Sequence, residues 1–167
     1  DVLLRFYLCA KYYNADLIVR VTADDPLKDP QVIDSAIDKL ISSNADYCSN
    51  TINISYPEGL DIEVFTFDAL EKANNNAKLL SEREHVTPYI WKNPDKFNIN
   101  QIEHDRDLSL WSMTVDTQED MKFIQKLINR LGNNINVSFS EIINTVDNNL
   151  QLKDACNNKG IRNVGYN

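Results

Sequence analysis

The sequence predicts an α/β fold in which helices flank a mainly parallel sheet. Residues 17–22 form a short apolar run rich in β-branched side chains, which is typical of a strand buried on both faces of a parallel sheet. Apolar residues at helical spacing precede this run over residues 2–14 and follow it over 29–41. Such an alternation of helix, strand and helix is characteristic of α/β proteins. The 167 residues, 43% hydrophobic and 25% charged, suit one globular domain over residues 1–167.

The remaining elements follow from alternating hydrophobicity and capping signals. Strands are predicted at four further positions: 47–50, which we expect to run parallel to the first strand, 60–67, 97–102 and 112–115. Helices are predicted at four further positions, three of them with a capping box: 68–75, 81–91 (Ser81 and Glu84), 117–131 (Thr117 and Asp120) and a helix from 138 (Ser138 and Glu141). Residues 156–167 are predicted to be a loop or a frayed strand.

Composition and charge exclude several classes of function. The net charge of −8, without any basic stripe, argues against nucleic acid as a partner. No apolar run is long enough for a transmembrane helix or a signal-peptide core, so we do not expect a membrane partner. The three cysteines, Cys9, Cys48 and Cys156, have no CxxC or metal-like spacing. This pattern favours reduced thiols in a cytoplasmic protein.

Two of the predicted strands end in carboxylates. Asp24 and Asp25 follow the strand at 17–22, and Asp116 follows the strand at 112–115. The C-terminal ends of parallel strands meet at one edge of an α/β sheet, where ligands bind. Because Mg²⁺ is bound by one or two carboxylates together with substrate phosphates, this edge is a candidate metal site for phosphoryl or nucleotidyl transfer. Two alternatives stay open, since an Asp-Asp-Pro string is typical of an exposed turn and Asp116 also suits a helix N-terminus.

Residues 82–88 place four polar or ionisable groups on one predicted helical turn. The guanidinium of Arg83 could clamp a substrate carboxylate, and histidine, here His85, is the side chain that changes charge near neutral pH. A capping role for Glu84 with solvated neighbours explains the same residues equally well. Asp61 and Glu63 share one face of a predicted strand, which suits either acid–base chemistry or a solvent-exposed face.

Four strings of residues, in order along the chain, resemble the cytidylyltransferase family of spore coat polysaccharide biosynthesis protein F. They are RVTADDPL at 20–27, YPEGLDIEVF at 56–65, EREHVTPY at 82–89 and TVDTQED at 114–120. This family is similar to the acylneuraminate and keto-deoxy-octulosonate cytidylyltransferases. The resemblance extends over nearly the whole chain, and residues 160–166 (GIRNVGY) are similar to the C-terminal segment of the family.

The resemblance implies a nucleotide-diphospho-sugar transferase fold, a mixed α/β sheet with a GT-A-like arrangement. It implies that CTP and a sugar or sugar acid react to give a CMP-sugar and pyrophosphate, with Mg²⁺ as the cofactor. It assigns the catalytic, metal-binding carboxylates to Asp24 and Asp116, and it places Arg20 near the nucleotide. It also implies a sugar-binding side formed by six residues: Glu58, Asp61, Glu63, Arg83, Glu84 and His85.

The sequence departs from the family pattern in three ways. Family members begin with a strand and a Gly- and Arg-containing loop that binds CTP, whereas none of the four glycines here belongs to such a loop. Asp25 stands where the family has a small or neutral residue, and Gln118 stands where it has proline. We therefore expect an N-terminally truncated chain that is inactive alone, the parent protein being the enzyme, because preorganised phosphate donors contribute strongly to rate.

Two other functions stay open at the level of the sequence. A non-catalytic, truncated relative that acts as a sugar-nucleotide-binding or assembly module fits the missing loop. A GT-A glycosyltransferase is less well supported, since its metal site requires a D-x-D string that Asp24-Asp25-Pro26 does not supply. Loss of the first strands would leave a sheet edge or an apolar face open, so we expect a homo-oligomer.

Overall fold

The computed structural model of the chain describes residues 1–132, 134 and 136–157. The four strands of its sheet are β1 (Leu17–Arg20), β2 (Tyr47–Ser49), β3 (Glu63–Thr66) and β4 (Ile99–Gln101). The helices described in these residues are α1 (Val2–Tyr12), α2 (Pro30–Ser42), α3 (Phe67–Asn76), α4 (Leu80–His85), α5 (Pro88–Trp91), α6 (Gln118–Arg130), α7 (Phe139–Asp147) and α8 (Leu150–Asn157).

The sheet is mixed, with the strand order β1-β3-β2-β4. The inner strand β3 is antiparallel to both β1 and β2, whereas β4 pairs with β2 in parallel. Three of the four strands therefore run in one direction, and β1 and β2 are parallel as predicted, although β3 lies between them. The prediction of a mixed α/β fold is confirmed.

Helices cover both faces of the sheet, and alternate strand residues contribute to two separate apolar clusters. On β3, Val64 belongs to the cluster that includes residues of α2, α6, α7 and α8, while Phe65 belongs to the cluster that includes residues of α1, α3 and α5. On β2, Cys48 and Tyr47 divide in the same way. The inner strands are buried on both sides, which explains why their sequences are apolar on consecutive positions.

The helix predicted from Ser81 to residue 91 is two short helices. The first begins at Leu80, where the Glu82 carboxylate accepts hydrogen bonds from the backbone N–H groups of Lys78 and Leu79 at 3.0 and 3.1 Å. Ser81 and Glu84 therefore do not form the predicted capping box, because Glu82 satisfies the first turn instead. The helix stops at His85, and Pro88 starts α5 after a sharp turn.

Two strand predictions were wrong in extent or kind. Residues 60–62 lie outside β3 because the Asn50 side chain binds their backbone, donating to the carbonyl of Leu60 at 2.7 Å and accepting from the N–H of Ile62 at 2.8 Å. Residues 112–115 form only an isolated bridge between Ser112 and Glu58, since their backbone groups bind several different segments rather than one strand.

The C-terminal part of the described chain holds a helix that the sequence analysis missed. Residues 156 and 157, predicted as the start of a loop or frayed strand, belong to α8, and residues 158–167 of that prediction lie outside the described residues. The carbonyl of Cys156 accepts from the N–H of Ser112 at 3.2 Å, so α8 braces the segment that leads to α6. The capping boxes at Thr117/Asp120 and Ser138/Glu141 are confirmed. Within the described residues, every helix is too short or too polar to cross a membrane.

Candidate active site

The loop after β1 and the segment before α6 lie side by side. The carbonyl oxygen of Asp24 accepts a hydrogen bond from the N–H of Val115 at 2.9 Å and a longer one from the Thr114 hydroxyl at 3.4 Å. Asp24 and Asp116 are thereby brought to the same edge of the molecule, and both are exposed. Among the described residues, neither carboxylate takes part in a hydrogen bond or an ion pair. The two predicted metal ligands are adjacent even though residues 112–115 are not a strand of the sheet.

Asp120 and Thr117 bind the backbone N–H groups at the N-terminus of α6, where Asp116 was predicted as an alternative cap. The Asp120 carboxylate accepts from the N–H groups of Asp116 and Thr117 at 3.0 and 2.8 Å, and the Thr117 hydroxyl accepts from the N–H of Asp120 at 3.3 Å. Thr117 is the N-cap, and Asp116 precedes it. The carboxylate of Asp116 is therefore not required to cap the helix.

A third loop, which contains Glu58 and Gly59, packs against the same segment. The N–H of Glu58 donates to the carbonyl of Trp111 at 2.9 Å, and its carbonyl accepts from the N–H of Met113 at 2.8 Å. Gly59 has φ +97°, and a Cβ at this position would lie 2.7 Å from the carbonyl carbon of Met113. The close approach places the half-buried Glu58 beside the segment that carries Asp116.

Asp25, the neighbour of Asp24, has an internal role. Its buried carboxylate accepts from the ammonium group of Lys28 at 2.7 Å and from the hydroxyl of Thr22. Lys28 also donates to the backbone carbonyl of Asp61 and so joins the loop after β1 to the loop before β3. The two neighbouring acids therefore have different environments, since Asp24 is exposed whereas Asp25 is buried and forms an ion pair with Lys28.

Arg20 and Glu63 bind each other across β1 and β3. The two residues are opposite each other in the strand register, and Arg20 donates to one carboxylate oxygen of Glu63. The other carboxylate oxygen accepts from the hydroxyl of Tyr47 at 2.7 Å and from the hydroxyl of Thr87. Burial and the nearby Glu63 carboxylate raise the pKa of Tyr47 well above its ordinary value of 10.0. Glu63 is only 3% exposed, so the exposed-face alternative for this residue is wrong.

The structure distributes the three remaining predicted sugar-binding residues along α4. Arg83 binds the carboxylate of Asp1 at 2.8 Å and the backbone and side chain of Asn74, so its guanidinium connects α1, α3 and α4. Glu84 is exposed, and His85 is half-buried at the C-terminal end of the helix. Arg83 is thus engaged in packing rather than held open towards a ligand.

Two exposed carboxylates on neighbouring segments suit a divalent cation whose remaining ligands are substrate oxygens. Mg²⁺ takes oxygen ligands and is commonly held by one or two carboxylates together with phosphates. Asp24 and Asp116 supply two such groups from separate segments, exposed at one edge. Over residues 1–132, 134 and 136–157 there is no cluster of three or more histidine, cysteine or acidic residues suited to hold a metal by itself.

Comparison with known proteins identifies the family. Residues 1–161 match the family described as cytidylyltransferase. The chain belongs to the cytidylyltransferase family. The resemblance found in the four sequence strings is thereby confirmed, and the family is one of nucleotidyltransferases.

Three relatives of this cytidylyltransferase chain are longer than it. An uncharacterized protein of Methanocaldococcus jannaschii is 44% identical over 168 residues, which cover 99% of this chain and 67% of that protein. The spore coat polysaccharide biosynthesis protein SpsF of Bacillus subtilis (strain 168) is 29% identical over 151 residues, covering 89% and 62%. A solved cytidylyltransferase of Leptospira borgpetersenii serovar Hardjo-bovis (strain JB197) matches with a TM-score of 0.87 and 32% identity, covering 96% and 67%. The chain spans about two thirds of the length of these relatives.

Three residues of the candidate site were not singled out from the sequence. Lys28 binds the carboxylate of Asp25 and the carbonyl of Asp61. Tyr47 and Thr87 both bind the carboxylate of Glu63. The signal that could have indicated Tyr47 is its position in an apolar strand, where a hydroxyl requires a buried partner. No comparable local signal marks the contact between Lys28 and the carbonyl of Asp61, because the two residues lie in different loops.

Proposed function

We propose that this chain carries the metal-binding edge of an enzyme that transfers the cytidylyl group of CTP to a hydroxyl of a sugar or sugar acid. The products are a CMP-sugar and pyrophosphate, and the pathway is surface polysaccharide biosynthesis. The observation that carries the proposal is the pairing of Asp24 and Asp116 at one exposed edge, held by the hydrogen bond from Val115 to Asp24. The name of the SpsF relative supports the polysaccharide pathway.

In the proposed reaction the sugar hydroxyl oxygen forms a bond to the α-phosphorus of CTP. The bond between that phosphorus and the bridging oxygen breaks, pyrophosphate leaves, and the hydroxyl proton passes to solvent. When bound, Mg²⁺ would neutralise the charge that develops on the phosphate oxygens. Asp24 and Asp116 would hold it, since both residues are exposed and the hydrogen bond from Val115 to Asp24 joins the segments that carry them.

The remaining predicted residues divide between nucleotide and sugar in the proposal. Arg20 would face the nucleotide from the end of β1. Glu58 and Asp61 would contribute to the sugar side, because their loops pack against the segments that carry Asp116 and Asp24. Glu84 and His85, at the end of α4, would extend that side, while the contacts of Arg83 with Asp1 and Asn74 favour a supporting role.

The first test is calorimetric titration of the chain with CTP, in the presence and absence of Mg²⁺. Turnover is not needed for this test, since the sequence predicts the chain alone to be inactive. We expect Mg²⁺-dependent binding that Asp24→Asn or Asp116→Asn weakens at least about tenfold, because one negative charge near the cation is lost in each case. The matched control is Asp34→Asn, which removes an exposed carboxylate from α2.

Equal affinity for CTP in the wild type and both asparagine variants would contradict the proposal, as would binding that is independent of Mg²⁺. The complete absence of CTP binding would contradict the assignment of the metal-binding edge to this chain. A sugar-nucleotide-binding or assembly module would instead bind a CMP-sugar without any effect of the two substitutions.

We also propose that the protein is cytoplasmic and that copies of this chain associate. Three free cysteines suit a reducing compartment. The strand β1 pairs with β3 on one side only and is an edge of the sheet. In addition, α1 exposes large apolar side chains, namely Leu4, Leu8 and Tyr12. An open strand edge and an exposed apolar face both favour pairing with a second copy.

A further inference from the structure

A buried carboxylate connects the end of β1 to the turn after α4. Glu63 accepts from Arg20 at one oxygen and from Tyr47 and Thr87 at the other, and it is 3% exposed. Both carboxylate oxygens are thus occupied by protein donors inside the fold. A buried charge is stabilised only when it is paired and hydrogen-bonded, as Glu63 is. Glu63 therefore acts on its neighbours rather than on a substrate.

The turn that delivers Thr87 to Glu63 has an unusual backbone. Val86 has φ 75° and ψ −57°, and the N–H of Thr87 donates to the carbonyl of His85 at 2.9 Å. These features define a classic γ-turn, a rare and strained conformation. Positive φ is especially unfavourable for a β-branched residue such as valine. Such strain persists only where the surroundings hold it, and the Val86 side chain is completely buried in the cluster with Phe65 and Ile90.

The turn connects His85 to the carboxylate that holds Arg20, and the proposed function assigns both His85 and Arg20 to ligands. His85 lies on one side of Val86, and the hydroxyl of Thr87 on the other side binds Glu63. Through the same carboxylate, Glu63 orients Arg20, whose side chain is 18% exposed. A guanidinium has five N–H donors, so one bond to Glu63 leaves others that can face an anion.

We propose that Glu63 is a positioning residue, which fixes the guanidinium of Arg20 and, through Thr87, the turn that carries His85. The inference rests on the proposed function, since Arg20 is expected to face the nucleotide. Glu63 sets the direction of the remaining N–H groups of Arg20. Its hydrogen bond from Thr87 stabilises the strained turn at Val86. Arg20 on the nucleotide side and His85 on the sugar side are thereby held in a fixed relative position before any substrate binds.

A double-mutant cycle on CTP affinity in the presence of Mg²⁺ tests whether Glu63 acts through Arg20. The variants are Glu63→Gln, Arg20→Gln and the double substitution, and their near-ultraviolet circular dichroism checks that each is folded. We expect Glu63→Gln to weaken CTP binding about tenfold in the wild-type background and to have no further effect in Arg20→Gln. Equal losses in both backgrounds would show a general structural effect and would overturn the proposal.

A second measurement does not depend on CTP. The chain has two histidines, so the imidazole proton signals of His85 can be compared with those of His104 in the same spectrum. We expect Thr87→Val and Glu63→Gln to shift the His85 signals and leave those of His104 in place, with Thr87→Ser restoring the wild-type position. If wild-type chain binds no CTP, the proposed function fails, and unchanged His85 signals in these variants would overturn the positioning role as well.

Discussion

At the scale of single residues, Gly59 lies where the neighbouring backbone leaves no room for a Cβ atom. Its φ of +97° suits glycine, and an added Cβ would lie 2.7 and 2.8 Å from backbone atoms of Met113 and Thr114. Neither atom can move without displacing the segment that leads to Asp116. Local substitution at this glycine therefore affects both stability and the candidate site.

We predict that Gly59→Ala lowers the free energy of unfolding by more than about 2 kcal/mol, since a positive φ and a backbone clash act together. Gly132→Ala is the matched control, because Gly132 also has positive φ (70°) but open space around the added Cβ. It should cost only about 1 kcal/mol. Urea unfolding of both variants measures the difference, and equal costs would show that the contact with Met113 is not limiting.

A second residue-scale prediction concerns Asp147. Hydrogen bonds from Arg106 and then Lys153 lower the pKa of Asp147 from 3.8 to about 2. Because the folded-state pKa is the lower one, this stabilisation is fully present above about pH 4 and is lost as the pH falls towards 2. Asp147→Asn should therefore lower the free energy of unfolding by about 0.5 to 1 kcal/mol at pH 6, and this effect should disappear as the pH falls below about 2.

Thermal unfolding across that pH range measures the effect of Asp147→Asn. Asp154→Asn serves as the control, since Asp154 is exposed on α8 and has no ion pair among the described residues. A pH-independent difference between wild type and Asp147→Asn would mean that the carboxylate does not titrate as expected. Added salt should reduce the difference, because the ion pair is partly exposed.

The sequence predicted some residues of the candidate site better than others. Asp24 and Asp116 were predicted to meet at one edge, and the structure brings their segments into contact. Their strings are local and were identified by resemblance. Glu63 was harder, because alternation with Ile62 and Val64 is equally compatible with an exposed face. Its burial depends on Arg20, Tyr47 and Thr87, which come from three distant parts of the chain.

At the scale of elements, one carboxylate caps one helix and binds the start of another. Asp29 is the N-cap of α2, where one oxygen accepts from the N–H of Gln31 at 2.7 Å. Its other oxygen accepts from the N–H of Phe139, the first residue of α7. Asp29 is 4% exposed, so loss of its side chain removes the acceptor of the buried N–H of Phe139 and of the partly buried N–H of Gln31.

We predict that Asp29→Ala lowers the free energy of unfolding by about 3 kcal/mol, since two hydrogen bonds to a buried charged group are removed. Ser138→Ala removes the N-cap of α7 at an exposed position and should cost about 1 kcal/mol. Chemical denaturation of both variants gives the comparison. Similar costs for the two would indicate that the contact with Phe139 contributes little.

Helix starts were predictable where a capping box stands alone, as at Thr117 and Ser138. The start of α4 was not, because Glu82 and Glu84 both lie in its first turns and only the tertiary arrangement selects Glu82. The segment 112–115 was predicted as a strand from its alternation. Its hydrogen bonds instead go to Asp24, Glu58 and Cys156, and no local pattern specifies such scattered partners.

At the scale of the whole molecule, the sheet has an open edge at β1 and α1 has an exposed apolar face. Leu8 is 54% exposed on this helix, and Tyr12 is exposed one turn later. We predict that the chain is a dimer in sedimentation equilibrium and that Leu8→Glu makes it a monomer, because a buried charge would oppose association. Leu110→Glu, which alters a leucine 76% exposed elsewhere, should remain dimeric. A monomeric wild-type chain would contradict the assignment of this face.

The chain has one exposed and two buried cysteines, and the reactivity of the buried thiols reports local unfolding around them. Cys9 lies at the surface of α1, so a thiol reagent should label it at once. Cys48 lies in the middle of the sheet, where burial raises its pKa to about 11, and Cys156 lies in α8 against Ser112. Only the thiolate reacts, so labelling of these two requires their surroundings to separate first. One time course of labelling, followed by mass spectrometry, would therefore distinguish opening of the sheet from detachment of the C-terminal helix.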